Sequence, residues 1–222
     1  MAVAPPAGAT PSAATLYQQA LATTKGWSVH YVSSGTSATA SNLETGDAGP
    51  ASGTQEVTIH DGSVSDQASL IVIGEFTYVK GTASSLVDLM GLPSTVAAAD
   101  ADHWVTFSTA NPDFAQIVAG VRSHDVAQEL AIRGPFTLGP QKMVDGIEVD
   151  AIRGTQGGQG AKVTHAVLYV RATGRPTIVE EDTVGSAASA NGQSRIVFSR
   201  WGERVRPMAP AAAITIGPVR TT

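Results

Sequence analysis

The residues that could do acid–base or metal chemistry are few and scattered. The segment 100–103 (DADH) offers two carboxylates and an imidazole to a hard metal ion. No second histidine follows at helical spacing, so this ligand set is weak, and a solvated acidic turn is the better interpretation. The run 180–182 (EED) stands at a strand end. Paired carboxylates do acid–base work when one is desolvated, but three in succession at a turn are usually solvated.

Other catalytic patterns are weaker still. The sequence has no Gly-x-Ser-x-Gly elbow, and the glycine-rich segment 154–162 (GTQGGQGAK) has the wrong spacing to its lysine for a phosphate loop. His30, His60 and His165 fall on predicted strands far apart in sequence. We therefore predict no catalytic residue, no metal site and no cofactor, and expect that the protein is not an enzyme. A hydrolase or metal-dependent enzyme stays an alternative, and it requires a polar cleft where such residues converge.

Composition excludes several classes of protein. The formal net charge of −5 argues against a nucleic-acid partner, because phosphate binding needs a clustered positive surface. The absence of cysteine rules out disulfides and thiolate chemistry in this sequence. No window approaches eighteen consecutive apolar residues, so no transmembrane helix is predicted. An apolar content of 42% is enough for a hydrophobic core.

The chain divides into three parts. Residues 1–13 are rich in Pro and Ala and carry no charge, which predicts a flexible linker. Residues 14–210 form one predicted domain, and residues 211–222 a C-terminal tail. Such a linker often tethers a domain to a membrane, although a frayed terminus explains it equally well. We expect an exported monomer of the cell envelope, held by an N-terminal anchor outside this sequence or secreted without one.

Hydrophobic periodicity predicts an α+β fold in which one large curved antiparallel sheet wraps around two to three helices. Helices are expected at 12–24, 84–90 and 112–130, the last one beginning with Asn111 as cap and Pro112 in its first position. The segment 33–53 is expected to be a loop. Strands are expected at 27–32, 57–60, 69–80 with a turn at Gly74, 104–108, 136–138, 141–144, 147–153, 164–171, 177–182 and 193–199.

Six different short motifs follow one another along the chain in a recognisable order. They are 76–81 (FTYVKG), 103–105 (HWV), 144–146 (VDG), 168–170 (LYV), 174–176 (GRP) and 198–203 (FSRWGE), the last followed by Val205 and Pro207. No single motif is specific, but their order and spacing resemble the LolA-like superfamily and, within it, the LppX/LprG-type envelope lipoproteins. The resemblance spans residues 16–210.

The resemblance implies a half-barrel of antiparallel strands whose concave side is covered by helices, with an apolar cavity between. It also implies non-catalytic binding and transport of an acyl lipid, a glycolipid or a lipid-modified molecule. The sequence departs from the lipoprotein branch because the lipid-modified cysteine is missing. Two modes of attachment therefore stay open, an anchor that lies outside this sequence or secretion without an anchor, and the expected fold is the same for both.

Apolar residues on alternating strand positions and on the helices are the candidates for the cavity wall. They are Val29, Tyr31, Val57, Ile59, Leu70, Val72, Leu86, Leu89, Met90, Phe114, Ile117, Val118, Val121, Ile147, Val149, Val167, Tyr169, Ile196 and Phe198. The same residues could instead form an ordinary closed core. In that case the protein would be a ligand-free interaction module that works through its surface.

Overall fold

The computed structural model describes residues 11–114, 117–118, 120–156, 164–185 and 192–216. Its helices are α1 (Ala13–Gly26), α2 (Ala83–Met90), α3 (Ser94–Asp100) and α4 (Ser123–Glu129), with a 3₁₀ turn at Pro112–Phe114. Its strands are β1 (Val29–Thr36), β2 (Ala40–Ala48), β3 (Ser52–Asp61), β4 (Val64–Ile73), β5 (Phe76–Gly81), β6 (Val105–Ser108), β7 (Arg133–Leu138), β8 (Lys142–Val144), β9 (Ile147–Gln156), β10 (Thr164–Arg171), β11 (Ile178–Val184), β12 (Gln193–Ser199) and β13 (Ile214–Thr215). None of the described helices is long and apolar enough to cross a membrane.

All the described strands belong to one open sheet. Their order is β13-β6-β5-β4-β3-β2-β1-β12-β11-β10-β9-β7, and β8 pairs with β9 beside this path. Every pairing is antiparallel except that of β13 with β6. The sheet is therefore two meanders, β1 to β6 and β7 to β12, joined where β1 pairs with β12. We call the face that carries the helices the inner face, and the sheet curls around it as a half-barrel.

Local signals define the helix ends. The Ser12 hydroxyl accepts a hydrogen bond from the Thr15 amide at 3.2 Å and caps α1. The Thr82 hydroxyl caps α2 in the same way, accepting from the Ser85 amide at 3.1 Å. Gly91 ends α2 with a φ of 64°, a left-handed conformation that glycine adopts without steric cost. The predicted helices at 12–24 and 84–90 are confirmed by α1 and α2.

Two hydrophobic clusters fill the inner face. The first joins α1 and α4 to β1, β9, β10 and β12, with Leu16, Leu130 and Leu168 among its buried members. The second joins α2 and α3 to β4, β5 and β6 and includes Leu86 and Phe107. The helices thus divide into two groups, each packed on its own half of the sheet.

A third, small cluster lies on the outer face. Val144, Val149 and Val179 are buried there, with Tyr169 packed against them. The Lys142 ammonium stands 3.4 Å from the centre of the Tyr169 ring. The β8–β9 hairpin thus adds a local apolar cover to the outside of the sheet.

Three predicted elements need correction. The expected loop 33–53 contains β2, which pairs along its whole length with β1 and β3. The expected helix 112–130 is interrupted, because residues 117, 118 and 120 are in turns, Gly120 has a φ of 78°, and α4 begins only at Ser123. The expected tail contains β13. The linker up to residue 10 and the segments 157–163 and 217–222 lie outside the described residues.

Candidate functional site

A cavity of about 240 Å³ lies on the inner face, where β2, β3 and β4 meet α2, α4 and the chain at Ile117. Five of the residues that line it are apolar: Val57, Ile59, Leu70, Leu89 and Ile117. Three are polar: Glu44, Gln55 and Glu129. The cavity therefore has an apolar wall and a polar wall, as a site for an amphipathic molecule requires.

A second space opens beside the cavity, toward one end of the half-barrel. Ile59 also lines a second depression, of about 400 Å³, between the β1–β2 turn and the start of β12. Gly35, Asn42 and Ser194 contribute to its wall. Since Ile59 borders both spaces, it stands at the passage between the interior and this end of the sheet.

The polar wall is held by side-chain hydrogen bonds. The carboxylate of Glu44 accepts one bond from Asn42 Nδ2 at 3.1 Å and another from Gln55 Nε2 at 3.2 Å. Gln55 itself is only 7% exposed. The two amides fix the Glu44 carboxylate in place, and each uses one of its two N–H donors to do so.

Glu129, the last residue of α4, presents its carboxyl group to the cavity beside Glu44. The Glu129 side chain is exposed to solvent on one side, and the protein around it still desolvates the carboxyl group. Burial raises the pKa of Glu129 to about 7, and the negative charges of Glu44 and Asp125 add to the rise. Gly120 lies against this group, because a Cβ at that position would come within 3.4 Å of both Glu129 carboxyl oxygens.

Glu181, on β11, is the most deeply buried acid of the inner face at 2% exposure. Gln156 Nε2 donates to Glu181 Oε1 at 2.7 Å and also to the backbone oxygen of Glu129 at 2.9 Å. Burial raises the pKa of Glu181 to about 8, with smaller increments from Glu129 and Asp182, against the lowering effect of Gln156. Near neutral pH, Glu129 and Glu181 are therefore partly protonated.

Tyr31 completes the polar wall. Its ring crosses over Gly46, where a Cβ would stand 2.5 Å from the Tyr31 hydroxyl oxygen, and Gly46 is in register with Gln55 on β3. The hydroxyl therefore reaches across β2 toward Gln55. Tyr31 is only 4% exposed, and its buried hydroxyl makes no hydrogen bond to the described residues, although the Gln55 amide lies near enough to lower the pKa of Tyr31 slightly. Burial raises the pKa of Tyr31, as do the charges of Glu44 and Glu129, so this hydroxyl stays protonated.

The structure divides the sequence-predicted cavity residues among four places. Five of them line the cavity directly: Val57, Ile59, Leu70, Leu89 and Ile117. Six pack in the cluster around α2 and α3: Val72, Leu86, Met90, Phe114, Val118 and Val121. Four pack in the cluster around α1 and α4: Val29, Tyr31, Ile196 and Phe198.

The remaining four lie on the outer face and do not line the cavity. Ile147, Val149 and Tyr169 belong to the small outer cluster. Val167 alternates with the inward-facing Leu168, so it also faces outward. The sequence pattern cannot tell the two faces apart here, because the β8–β9 hairpin makes the outer face apolar as well.

The weak ligand set at 100–103 does not converge on one point in the structure. His103 Nδ1 contacts the backbone oxygen of Ala101 at 2.9 Å, and among the described residues no three His, Asp or Glu side chains could hold a metal ion. His30 pairs with Asp47 at 2.9 Å, while His60 and His165 are exposed. The acidic run at 180–182 requires a correction, since Glu180 and Glu181 are both buried rather than solvated.

The sequence interpretation missed every member of the polar wall except Tyr31. Glu44 lies in the segment expected to be a loop, Glu129 at the end of the expected long helix, and Glu181 in the acidic run. Gln55 had one available signal, because it precedes Val57 and Ile59 in a strand of period two and therefore shares their face.

Similar proteins were found by comparison of three-dimensional structures and not by comparison of sequences. No protein-family model matches the chain, and no curated protein matches its sequence. The crystal structure of LprF from Mycobacterium bovis superposes with a TM-score of 0.57 at 15% identity, over 92% of this chain and 100% of that one. The chain has a LolA-like fold.

Two further structures match more loosely. The LolA superfamily protein NE2245 from Nitrosomonas europaea aligns over 89% of this chain and 96% of its own, with 10% identity and a TM-score of 0.33. A DUF1329 family protein from Desulfovibrio piger aligns over 90% and 96%, with 12% identity and a TM-score of 0.31. The predicted LolA-like half-barrel is thus confirmed as a fold by the likeness to LprF.

Proposed function

We propose that this LolA-like half-barrel binds an amphipathic lipid, with its hydrocarbon part between the inner face of the sheet and the α2 helix, and carries it without catalysis at the cell envelope. The observation that supports this most directly is the cavity, where five apolar side chains of β3, β4, α2 and the Ile117 region converge. Burial contributes about 0.8 kcal/mol for each methylene group, so such a wall holds a hydrocarbon chain without any specific contact.

The cavity is small for this task. Its volume of about 240 Å³ lies below the roughly 300–1,000 Å³ typical of small-molecule sites. A long chain therefore requires part of the wall to move. Leu89 and Met90 are at the end of α2, which is held by apolar packing, whereas Ser84 and Ser85 tie its start to β4 by hydrogen bonds. Methionine repacks readily around different shapes. We propose that α2 moves outward to admit the ligand.

The Ile59→Trp variant tests this proposal. An indole at the passage fills the space between the interior and the open end, so we expect uptake of monopalmitoylglycerol to fall at least about tenfold, because the chain loses several methylene contacts. Native mass spectrometry after incubation with this lipid measures the bound fraction. Mass spectrometry of an organic-solvent extract of the purified protein identifies the lipids that it already carries.

Leu43→Trp is the matched control. Leu43 is on β2, 49% exposed, and alternates with the inward-facing Glu44, so the same enlargement there stays outside the barrel. Uptake should match the wild-type protein. If the wild-type protein takes up no lipid at all, lipid carriage is wrong and the small cavity is simply the incomplete packing of an interaction module.

A further inference from the structure

We propose that the polar wall of the cavity, formed by Glu44, Gln55 and Glu129 with Tyr31 and Glu181 buried beside it, binds the protonated amine headgroup of the amphipathic ligand. This inference rests on the proposed lipid binding and specifies which lipids are taken. It follows from three features of the wall: its hydrogen-bonding balance, its charge and its position.

The hydrogen-bonding balance favours a ligand that only donates. The side-chain amides are turned toward the acids, since Asn42 and Gln55 each donate one N–H to Glu44 and Gln156 donates to Glu181. Acceptors are left over. Within the part of the chain that the structure describes, the Glu129 carboxyl group accepts no hydrogen bond and the buried Tyr31 hydroxyl makes none. A primary ammonium carries three donors and no acceptor, which matches this surplus.

The negative charge of the wall also favours a cationic headgroup. Glu44 and Glu129 line one cavity and Glu181 is buried next to Glu129, and no salt bridge of the described chain involves any of the three. The lysine and arginine side chains that do form ion pairs, Lys142, Arg195 and Arg200, pair with Glu180 and Asp47 instead. A cation entering the cavity would relieve the mutual repulsion of Glu44, Glu129 and Glu181. An anionic headgroup would increase it.

The position fits an amphipathic ligand. Glu44, Gln55 and Glu129 line the same cavity as Val57, Leu70 and Leu89, so a headgroup at the polar wall leaves its chain against the apolar wall. The unpartnered hydroxyl of Tyr31 marks the closed end of this arrangement, since it reaches over Gly46 toward Gln55. The wall is therefore a headgroup site inside the half-barrel.

Isothermal titration with decylamine, decanol and decanoate tests the proposal, because the three share one chain length. We expect decylamine to bind at least about tenfold more tightly than decanol, the order of one charge-assisted hydrogen bond, and decanoate to bind most weakly. Decanol or decanoate binding as tightly as decylamine would overturn the headgroup assignment and leave lipid binding intact. If none of the three binds, the proposed function itself has failed.

Three variants test which residues bind the amine of decylamine. Glu129→Gln should weaken decylamine binding about tenfold while decanol binding stays within about twofold. Tyr31→Phe should also weaken decylamine, although it removes an unsatisfied buried hydroxyl and should not lower stability. Glu56→Gln is the matched control, because Glu56 is exposed on the outer face of β3, where it accepts from Ser69 at 2.6 Å. Its affinity for decylamine should not change, and an equal loss in all three variants would contradict the proposal.

The pH dependence gives an independent readout. Decylamine stays protonated throughout, with a pKa like that of lysine near 10, while Glu129 and Glu181 ionise around their pKa values of about 7 and about 8. Affinity for decylamine should therefore rise as the pH increases through this window, and binding should release protons. The other charged groups that face these two acids are Glu44, Asp125 and Asp182, with Arg122 and His124 acting on Asp125. Affinity that is flat or falling with pH would contradict the site.

Discussion

At about pH 9 the Glu181→Gln variant is expected to be more stable than the wild-type protein by about 2–4 kcal/mol in free energy of unfolding. Glu181 is buried, and its pKa is raised to about 8 from an ordinary value of 4.5. An acid whose pKa is raised by folding stabilises the folded state fully below its unfolded pKa, and this contribution is lost as the pH rises to the folded value. Wild-type stability should therefore fall between about pH 4.5 and pH 8. Glutamine keeps an oxygen that can accept from Gln156 and removes the charge.

Urea unfolding at two pH values measures this effect. Near pH 4 the two proteins should be about equally stable, because Glu181 is then mostly protonated in both the folded and the unfolded state and as neutral as glutamine. A variant that is less stable than wild type at about pH 9 would show that Glu181 is balanced by a cation, contrary to its described surroundings.

The neighbouring Glu180 supplies a control of opposite sign. It faces the outer side of the same strand, where Arg195 pairs with it and Lys142 stands at 3.5 Å. Glu180→Gln leaves both cations unpaired and should destabilise the protein at either pH. The loss should be only about 1–2 kcal/mol, because the two basic side chains are 54% and 41% exposed and water solvates them.

Gly53→Ala is expected to destabilise the protein by about 3 kcal/mol or more. A Cβ on Gly53 would lie 1.9 Å from the backbone oxygen of Val121 and 2.8 Å from that of Asp47. Both contacts are backbone, so either the connection before α4 or strand β2 must shift. The same connection is pinned by the Ser123 amide, which donates to Gly49 O at 3.1 Å. The substitution therefore disturbs the segment that positions Glu129.

Gly35→Ala is the matched control for this substitution. Gly35 is also a strand glycine of the inner face, but its added Cβ would meet only the side-chain oxygen of Asn42. That side chain can rotate away, so we expect a loss below about 1 kcal/mol. Urea denaturation midpoints compare the two variants, and equal losses would mean that the close approach to Val121 does not matter.

Part of the fold was predictable from the sequence. The strands at 164–171 and 193–199 were predicted with their observed bounds, because apolar residues alternate there between clear turn signals. Strand β2 was not predicted, because its inward side chains face a polar interior. Its inward positions are Asn42, Glu44 and Gly46, which serve the polar wall and leave room for Tyr31. A strand that faces a polar interior lacks the alternation that identifies a strand.

The candidate site was predictable only on its apolar side. Val57 and Leu70 carry the ordinary signal of an inward strand face. Glu181 lies between two other acids, and such a run predicts a solvated turn. The structure shows instead that β11 places Glu181 inside the half-barrel while Glu180 faces outward. Burial of a charge depends on contacts between distant parts of the chain, here β11 with α4 and Gln156, which local patterns do not contain.

The order of strands in the sheet has a consequence for the newly made chain. Strand β1 is complete early in synthesis, but one of its two neighbours, β12, comes from residues 193–199. Until the ribosome has released that segment, the β1 edge keeps unpaired amide and carbonyl groups next to the apolar Val29 and Tyr31. Such an edge is a template for pairing with another chain. The β1 edge therefore stays available for pairing with another chain for most of the time that the polypeptide is being made.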